Sequence, residues 1–238
     1  MRAVAAASAS EFEPRELAIP DYLLAHYWWA YVHPNAVRVF ERQWLVNLIL
    51  WGNFARLRDA ALAEFGPRVE GRTLQVACVY GDFSQRLAAR LAPGASLDIV
   101  DILSIQLANL RGKLADGPPV ALHQRDSTAL GFADASYDQA IIFFLLHEQP
   151  AFVRRKTLAE ALRVVRPGGK IVLVDYHAPG PLQPLHYVFR PVLQALEPYA
   201  LDLWEHEIAE WLPRGPHLRD MRKETFFGGL YQKLVVTA

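Results

Sequence analysis

Two short clusters in this chain combine imidazole with carboxylate: His147-Glu148 and Asp175-Tyr176-His177. Such pairs can hold or move a proton beside a reacting group, with histidine as the usual base. Each also has a plainer reading, a histidine that only hydrogen-bonds its neighbours. A second set is built for holding rather than reacting. The stretch LQVACVYGDFS, residues 74 to 84, joins a strand-like run to a helix-like one and contains a single glycine, Gly81. Asp101, beside Ile102, lies 20 positions after Gly81. An acid at about that distance past a strand-loop-helix turn grips a ribose hydroxyl pair. An aspartate after a strand can equally be a simple helix cap. Taken together, strand, glycine, helix and acid favour an adenosine-type cofactor.

For these residues to converge, their elements must share an edge. From Thr73 the pattern alternates short strands and helices. TLQVACV, SLDIVDI, VALHQRD, YDQAIIFFLLH and KIVLVDYH read as strands. DFSQRLAARLA, SIQLANLRGKLA and FVRRKTLAEALRVV read as helices, stopped at Pro93-Gly94, Gly117-Pro118-Pro119 and the RPGG turn. Alternation of this kind predicts an α/β fold with a doubly wound, mostly parallel sheet. Ligands then sit at the carboxyl ends of the strands, where both histidine clusters and the acids fall. The closing KETFFGGLYQKLVVTA reads as one or two strands, with Gly228-Gly229 a hairpin turn or bulge.

Two further regions flank the sheet. Residues 1–19 read as a disordered tail. They lack the apolar core of a secretory signal, and Glu11, Glu13 and Glu16 argue against a transit peptide. Residues 20–70 read as an aromatic helical cap: one helix to Pro34, then another that Asn35 can cap. The uncharged run from Gln43 to Ala55 is too short for a bilayer span, which takes roughly 20 residues. It suits a buried helix or one lying in a membrane interface. The domain proper is expected over 71–238, with a proline-studded helical insert at about 178–215.

Composition sets outer limits. Apolar residues make up 52% of 238, enough for a sizeable core. Lysine plus arginine equals aspartate plus glutamate at 25 each, so charge offers no argument for nucleic acid. The single cysteine, Cys78, excludes an intrachain disulfide and a thiolate metal cluster.

Three further phrases carry a family resemblance. Asp126-Ser127 stands where an acid-plus-small pair meets adenine, LGFADASYD precedes the fourth strand, and RVVRPGG precedes the fifth. Over roughly residues 70–177 the chain resembles the class I S-adenosylmethionine-dependent methyltransferases, which implies their Rossmann-like fold. The resemblance makes Ala77, Val79, Tyr80, Gly81, Asp101, Ile102, Asp126 and Ser127 the cofactor-binding positions. The chain departs from the family in its first loop. Against a pattern like LDVGCGTG, Gln75 replaces the acid, Ala77 and Val79 replace glycines, and Tyr80 replaces the threonine. Valine is β-branched and stiff, so a glycine-like backbone at position 79 is not expected.

That departure is itself the mark of a narrower group. VACVYGDFS, with IPDYLLAHYWWAYVHP and FERQWLVNLILWGNF upstream, resembles the RquA family of rhodoquinone biosynthesis proteins. The resemblance implies conversion of ubiquinone to rhodoquinone, a ring methoxy group being replaced by the amino group of S-adenosylmethionine. It also implies a divalent metal, Mn2+ by preference, for which Glu148, Asp175 and His177 are the candidate ligands. Tyr80, His147 and His177 become the candidate catalytic residues, Tyr80 by orienting the cofactor and the histidines as bases. A quinone substrate implies peripheral contact with membrane lipid at the cytoplasmic face of the inner membrane. Trp28, Trp29, Trp44, Trp51, Tyr187, Phe189, Trp204, Trp211 and the basic PRGPHLRDMRK suit that surface. Two other readings stay open: a conventional methyltransferase acting on a quinone or other lipophilic aromatic, and an inactive member binding quinone or partner proteins.

Overall fold

The computed structural model describes residues 17–114, 120–180, 182–213 and 220–238. The tail expected over 1–19 lies mostly outside them, as do the Gly117-Pro118-Pro119 stop and most of the PRGPHLRDMRK segment. Seven strands form one sheet: β1 (Arg72–Val76), β2 (Ser96–Asp101), β3 (Val120–Gln124), β4 (Tyr137–Phe143), β5 (Val165–Tyr176), β6 (Asp220–Phe226) and β7 (Tyr231–Thr237). Their order is β3-β2-β1-β4-β5-β7-β6. β1 to β5 run parallel, while β7 runs antiparallel to both β5 and β6. The expected doubly wound sheet is therefore present.

The central strands read as unbroken apolar runs because both of their faces are covered. Ala140 to Phe143 in β4 and Ile171 to Val174 in β5 are all buried. The crossovers are α5 (Phe83–Ala88), α6 (Ser104–Leu114) and α7 (Ala151–Val164). Right-handed connection puts α5 and α6 on one face and α7 on the other. The direction of winding reverses between β1 and β4, and a crevice opens there at the carboxyl ends of the strands. The RPGG turn is sterically required: a Cβ on Gly169 would lie 2.5 Å from the Asp138 carbonyl oxygen. β5 starts earlier than the sequence suggests, at Val165 paired with Tyr137, and the turn bulges out before pairing resumes at Lys170.

The N-terminal cap differs more from expectation. It is not two helices but a succession of short ones: α1 (Asp21–His26), a π-helical turn (Trp28–Val32), α2 (Pro34–Phe40), α3 (Gln43–Ile49) and α4 (Phe54–Ala63). Asn35 does not cap α2. His33 does, its Nδ1 accepting the Asn35 backbone N–H at 3.2 Å, with Pro34 as the first helical residue. Proline fits there because its missing N–H would have had no helical partner. The uncharged run breaks at Trp51 and Gly52, whose φ angles are +51° and +77°. No residue of α3 is buried, whereas Leu50, Asn53 and Phe54 further along the run are, so the buried-helix reading fails for its first half.

The insert after β5 contains α8 (His186–Leu196), α9 (Asp202–Glu205) and a 3-10 turn (Ile208–Trp211). One side chain ties it to the sheet edge. The fully buried guanidinium of Arg154, from α7, donates to the carbonyls of Leu146 (2.9 Å), Gln149 (2.9 Å) and Tyr199 (3.0 Å). It also lies 4.2 Å over the ring of Trp211. Arg154 thus fastens the loop after β4 to the insert that covers it.

Candidate functional site

Above the carboxyl ends of β1, β2 and β4 lies a cavity of about 1070 Å3. That is at the upper end of small-molecule sites, roughly 300–1,000 Å3, and leaves room for a cofactor and a second ligand. Val76 to Tyr80, Val100 to Leu103, Arg125 to Ser127 and Phe143 to Leu145 floor it, with His147 to Gln149 at one side. The cap and α8 supply the walls.

The first loop is held from three sides. Ala77 sits at φ +73°, so the first glycine position of the family pattern keeps its left-handed backbone although the residue is alanine. Val79 is not left-handed, as its branching requires. Gly81 has φ +81°, and a Cβ there would lie 2.9 Å from both Gln43 Oε1 and Phe54 Cζ. Its N–H donates to Glu41 Oε1 at 3.2 Å, its carbonyl accepts from Lys113 Nζ, and Glu41 and Lys113 pair at 2.6 Å. Tyr80 stacks against Tyr31 (5.7 Å) and Phe40 (6.1 Å). Its hydroxyl donates to the Ala30 carbonyl at 2.9 Å and accepts from Gln106 Nε2 at 2.8 Å. Burial raises its pKa, so it remains a neutral phenol. Tyr80 is a fixed wall of the loop, bolted to the N-terminal cap.

The acids hold backbone, which for Asp101 is the cap-like arrangement. Asp101 accepts the N–H of Cys78 (2.8 Å) at one oxygen and of Leu103 (2.8 Å) at the other. Burial pushes its carboxyl up to about 6, although these N–H groups pull the other way. Asp126 accepts the Thr128 N–H at 2.7 Å, and Ser127 bonds Thr157 at 2.8 Å and Gln149 at 3.1 Å. Ala77, Val79, Tyr80, Gly81 and Ile102 complete the predicted cofactor set; all but Gly81 line the cavity. Gln149 also lines it, and its Oε1 is buried with no hydrogen-bond partner among the described residues. Buried polar atoms rarely go unpaired, so an acceptor left open here fits an amino-bearing ligand such as adenine.

The histidine clusters divide. His147 lies in a 3-10 turn (Leu146–Glu148) and lines the cavity. Its Nδ1 meets Asp175 Oδ1 at 2.9 Å and its Nε2 lies 3.7 Å from Glu148 Oε1. Burial alone would lower the imidazole pKa, but Asp175, with Glu197 and Glu148 adding to it, pushes the value up to about 9. Burial pushes Glu148 up to about 8. Both shifts favour the protonated form of the group concerned. His177 is elsewhere. The chain continues along β7, with the His177 N–H on the Leu230 carbonyl and Nδ1 donating to the Gly229 carbonyl at 2.8 Å. Its Nε2 faces Glu207 (3.5 Å) and Lys223 (3.3 Å), outside the cavity.

The expected metal ligands therefore do not assemble. Asp175 is fully buried and already accepts from Leu146 N, His147 N, His147 Nδ1 and Tyr176 N. His177 points away, leaving only Glu148 of the three on the cavity. Among the described residues no three His, Cys, Asp or Glu side chains are placed to hold a metal ion. Sequence reasoning also missed Glu197, Tyr22, Tyr31 and Gln149. Glu197, at the end of α8, lines the cavity with a buried Oε2 that has no hydrogen-bond partner among the described residues. No spacing marks it, because its position depends on how the insert docks.

Comparison with known proteins fixes the class. Residues 73–169 match the methyltransferase domain family. The demethylmenaquinone methyltransferase of Beutenbergia cavernae is 33% identical over 188 residues, 73% of either chain. The chain belongs to the class I S-adenosylmethionine-dependent methyltransferases. The ubiquinone/menaquinone biosynthesis C-methyltransferase UbiE of Paracoccus denitrificans is also 33% identical, over 61% of this chain and 58% of that protein. The fold matches phosphoethanolamine N-methyltransferase 2 of Haemonchus contortus, solved with S-adenosyl-L-methionine, with a TM-score of 0.64 at 15% identity. The match covers 92% of this chain and 60% of that one. In this class the floor residues of the cavity, Ala77 to Tyr80, Asp101, Ile102, Asp126 and Ser127, are those that would hold S-adenosylmethionine.

Proposed function

We propose that this protein acts on a lipid-tailed quinone, replacing a ring methoxy group of ubiquinone with the amino group of S-adenosylmethionine to give rhodoquinone. The relatives named above act, by name, on demethylmenaquinone or in ubiquinone and menaquinone biosynthesis, which supports a quinone as substrate. The observation that carries the amino transfer is the first loop. In methyltransferases of this class that loop meets the methionine end of the cofactor. Here it is rebuilt, with Val79 and Tyr80 in place of small residues and Tyr80 locked between Tyr31 and Phe40. A loop changed there re-aims the methionine end, so that its amino group rather than its methyl group faces the acceptor.

When bound, S-adenosylmethionine would supply the nitrogen: the ring carbon–nitrogen bond replaces the ring carbon–methoxy bond. The methionine Cα–N bond then breaks by elimination, a Cβ proton leaving as the Cα–Cβ double bond forms and a proton returning to the ring nitrogen, so that no oxidant is needed. The protein's part is to make the ring carbon accept it. His147, held as a cation by Asp175, presents Nε2 to the cavity and can donate a hydrogen bond to a quinone carbonyl. Withdrawing charge through that carbonyl makes the methoxy-bearing carbon electrophilic. Glu148 keeps its proton at neutral pH and can pass it to the departing methoxy oxygen, which leaves as methanol. Glu197 is a second carboxyl in reach of the cavity for the proton released by the incoming amine. No step is assigned to a divalent metal, since the donors do not converge.

A second reading is favoured by the 33% identity to a ubiquinone/menaquinone C-methyltransferase: ordinary methyl transfer to a quinone ring. One experiment separates them. The purified protein is incubated with ubiquinone and S-adenosylmethionine labelled with nitrogen-15 at the amino group, with and without Mn2+, and the quinone is weighed by mass spectrometry. Labelled nitrogen in the ring with loss of a methoxy group supports amino transfer. A methyl gain without nitrogen makes the protein a methyltransferase with a rebuilt loop.

A further inference from the structure

Among the described residues, eight of the exposed large apolar side chains lie on α3, the Trp51 turn and α8, beside one another at the rim of the cavity. α3 buries none of its residues, and Trp44, Leu48 and Ile49 are 61%, 63% and 43% exposed. Trp51 follows at the helix end, itself exposed. α8 buries only Phe189 and Leu193 and leaves Tyr187, Val188, Val192 and Leu196 outside. Val188, Val192 and Leu196 recur every four residues, so they form one stripe. The two helices meet where the Trp51 ring lies 5.1 Å from Phe189, and both line the cavity. Scattered exposed apolar residues are normal, but a contiguous apolar rim around a cavity marks an interaction site.

The charge around the rim narrows the partner. Neither α3 nor α8 contains an acidic residue. Arg190 on α8, Arg42 immediately before α3 and Arg38 on the preceding α2 are exposed. Glu41, the acid beside them, is turned inward onto Lys113 and Asn109. Tryptophan, aliphatic and arginine side chains without acids suit the boundary between lipid headgroups and acyl chains. Among the described residues no helix is long and apolar enough to cross a membrane, which leaves docking on one leaflet.

We propose that α3, the Trp51 turn and the outer stripe of α8 form a docking face for an anionic lipid bilayer. The cavity then opens directly onto the acyl region, and an apolar substrate enters sideways between α3 and α8, past Trp51 and Phe189. The identity of that substrate as a quinone rests on the function proposed above; the docking face does not.

The test uses the full-length protein with phosphatidylcholine vesicles, with and without phosphatidylglycerol. Co-sedimentation should be strong on the mixed vesicles and weaken with added salt. Tyr187→Ser with Val188→Ser, both outside the cavity, should lower the partition coefficient on the order of tenfold or more. Confirmation from the α3 side comes from Trp44→Ser with Leu48→Ser, which should lower it similarly. Unchanged melting temperature and S-adenosylmethionine binding identify folded variants. The α8 variant should keep its turnover of a short-tailed, water-soluble quinone and lose turnover of a long-tailed one embedded in vesicles. Partition that is absent in the wild type, or unaffected by both variants, overturns the docking face. So does light scattering that shows a wild-type dimer split by the same substitutions, since the face would then join two copies. A protein that partitions through this face yet modifies no quinone keeps the docking face and refutes the reaction.

Discussion

The buried pair His147 and Asp175 makes a quantitative prediction about alkaline stability. His147 has its pKa raised in the folded protein from 6.5 to about 9. A raised imidazole contributes stability that is complete below the unfolded value and is lost as pH climbs through the folded one. That rise corresponds to about 3 kcal/mol. Of this, about 2 kcal/mol should disappear between about pH 7 and 9. Glu148 has its pKa raised from 4.5 to about 8 and gives stability of the same sign, lost as pH rises. The His147 contribution is therefore best isolated in a Glu148→Gln background.

In that background, urea unfolding at constant ionic strength should show the 2 kcal/mol decline, give or take a factor of two. Adding Asp175→Asn removes the countercharge. Burial then governs the imidazole, which stays neutral in the folded protein above about pH 7, and the decline should vanish. The double variant will be less stable throughout, because an amide cannot accept from the four donors that converge on Asp175. The slope with pH, not the absolute stability, is the readout. Equal slopes with and without Asp175 would refute an imidazolium held by that carboxylate, and with it the role proposed for His147 as carbonyl activator.

Three other outcomes follow from the same geometry. Tyr80→Phe removes the bonds to the Ala30 carbonyl and the Gln106 amide, which keeps only its bond to the Tyr31 carbonyl, and should cost about 1–3 kcal/mol in urea unfolding, with weaker S-adenosylmethionine binding by calorimetry. Ala77→Gly relieves a left-handed backbone worth about 1–2 kcal/mol against a glycine entropy cost of about 0.5–1 kcal/mol. It should therefore stabilise the protein slightly, by about 0.5–1 kcal/mol, measured as a higher urea midpoint. Arg154→Met strips hydrogen bonds from the carbonyls of Leu146, Gln149 and Tyr199 and should destabilise by about 3–5 kcal/mol. Limited proteolysis of that variant should cut first in the insert.

How much of this was legible depended on whether the determining contacts are local. The parallel sheet was, because each strand carries its apolar run and each helix its own stop, and Gly169 leaves no room for a side chain. The floor of the cavity was legible for the same reason: Asp101 bonds Cys78 and Leu103, and those contacts follow from strand ends alone. The cap was not. Gln43 to Ala55 looks helical residue by residue, and only the left-handed turn at Trp51 and Gly52 breaks it. That turn swings Trp51 against Phe189, an insert residue far along the chain.

The histidine clusters illustrate the limit more sharply. Both follow strands at the functional edge, so their sequence contexts are equivalent. They part because of partners no local pattern encodes. Asp175 reaches across from β5 to take the His147 ring, whereas the backbone after Tyr176 stays paired with β7 and carries His177 to the Gly229 carbonyl. A metal site read from the two clusters as equals needed both rings on one side. What the tertiary structure builds instead is His147 with a raised pKa beside Glu148 with a raised pKa, at one side of an apolar cavity that is also lined by Glu197, whose Oε2 has no hydrogen-bond partner among the described residues. That arrangement favours a ligand whose carbonyl can take a hydrogen bond and whose leaving group needs a proton. A methoxy-quinone meets both requirements, whereas plain methyl transfer to a ring carbon uses neither the acid nor a leaving oxygen. Under the function proposed above, these groups and the rebuilt loop would serve one reaction.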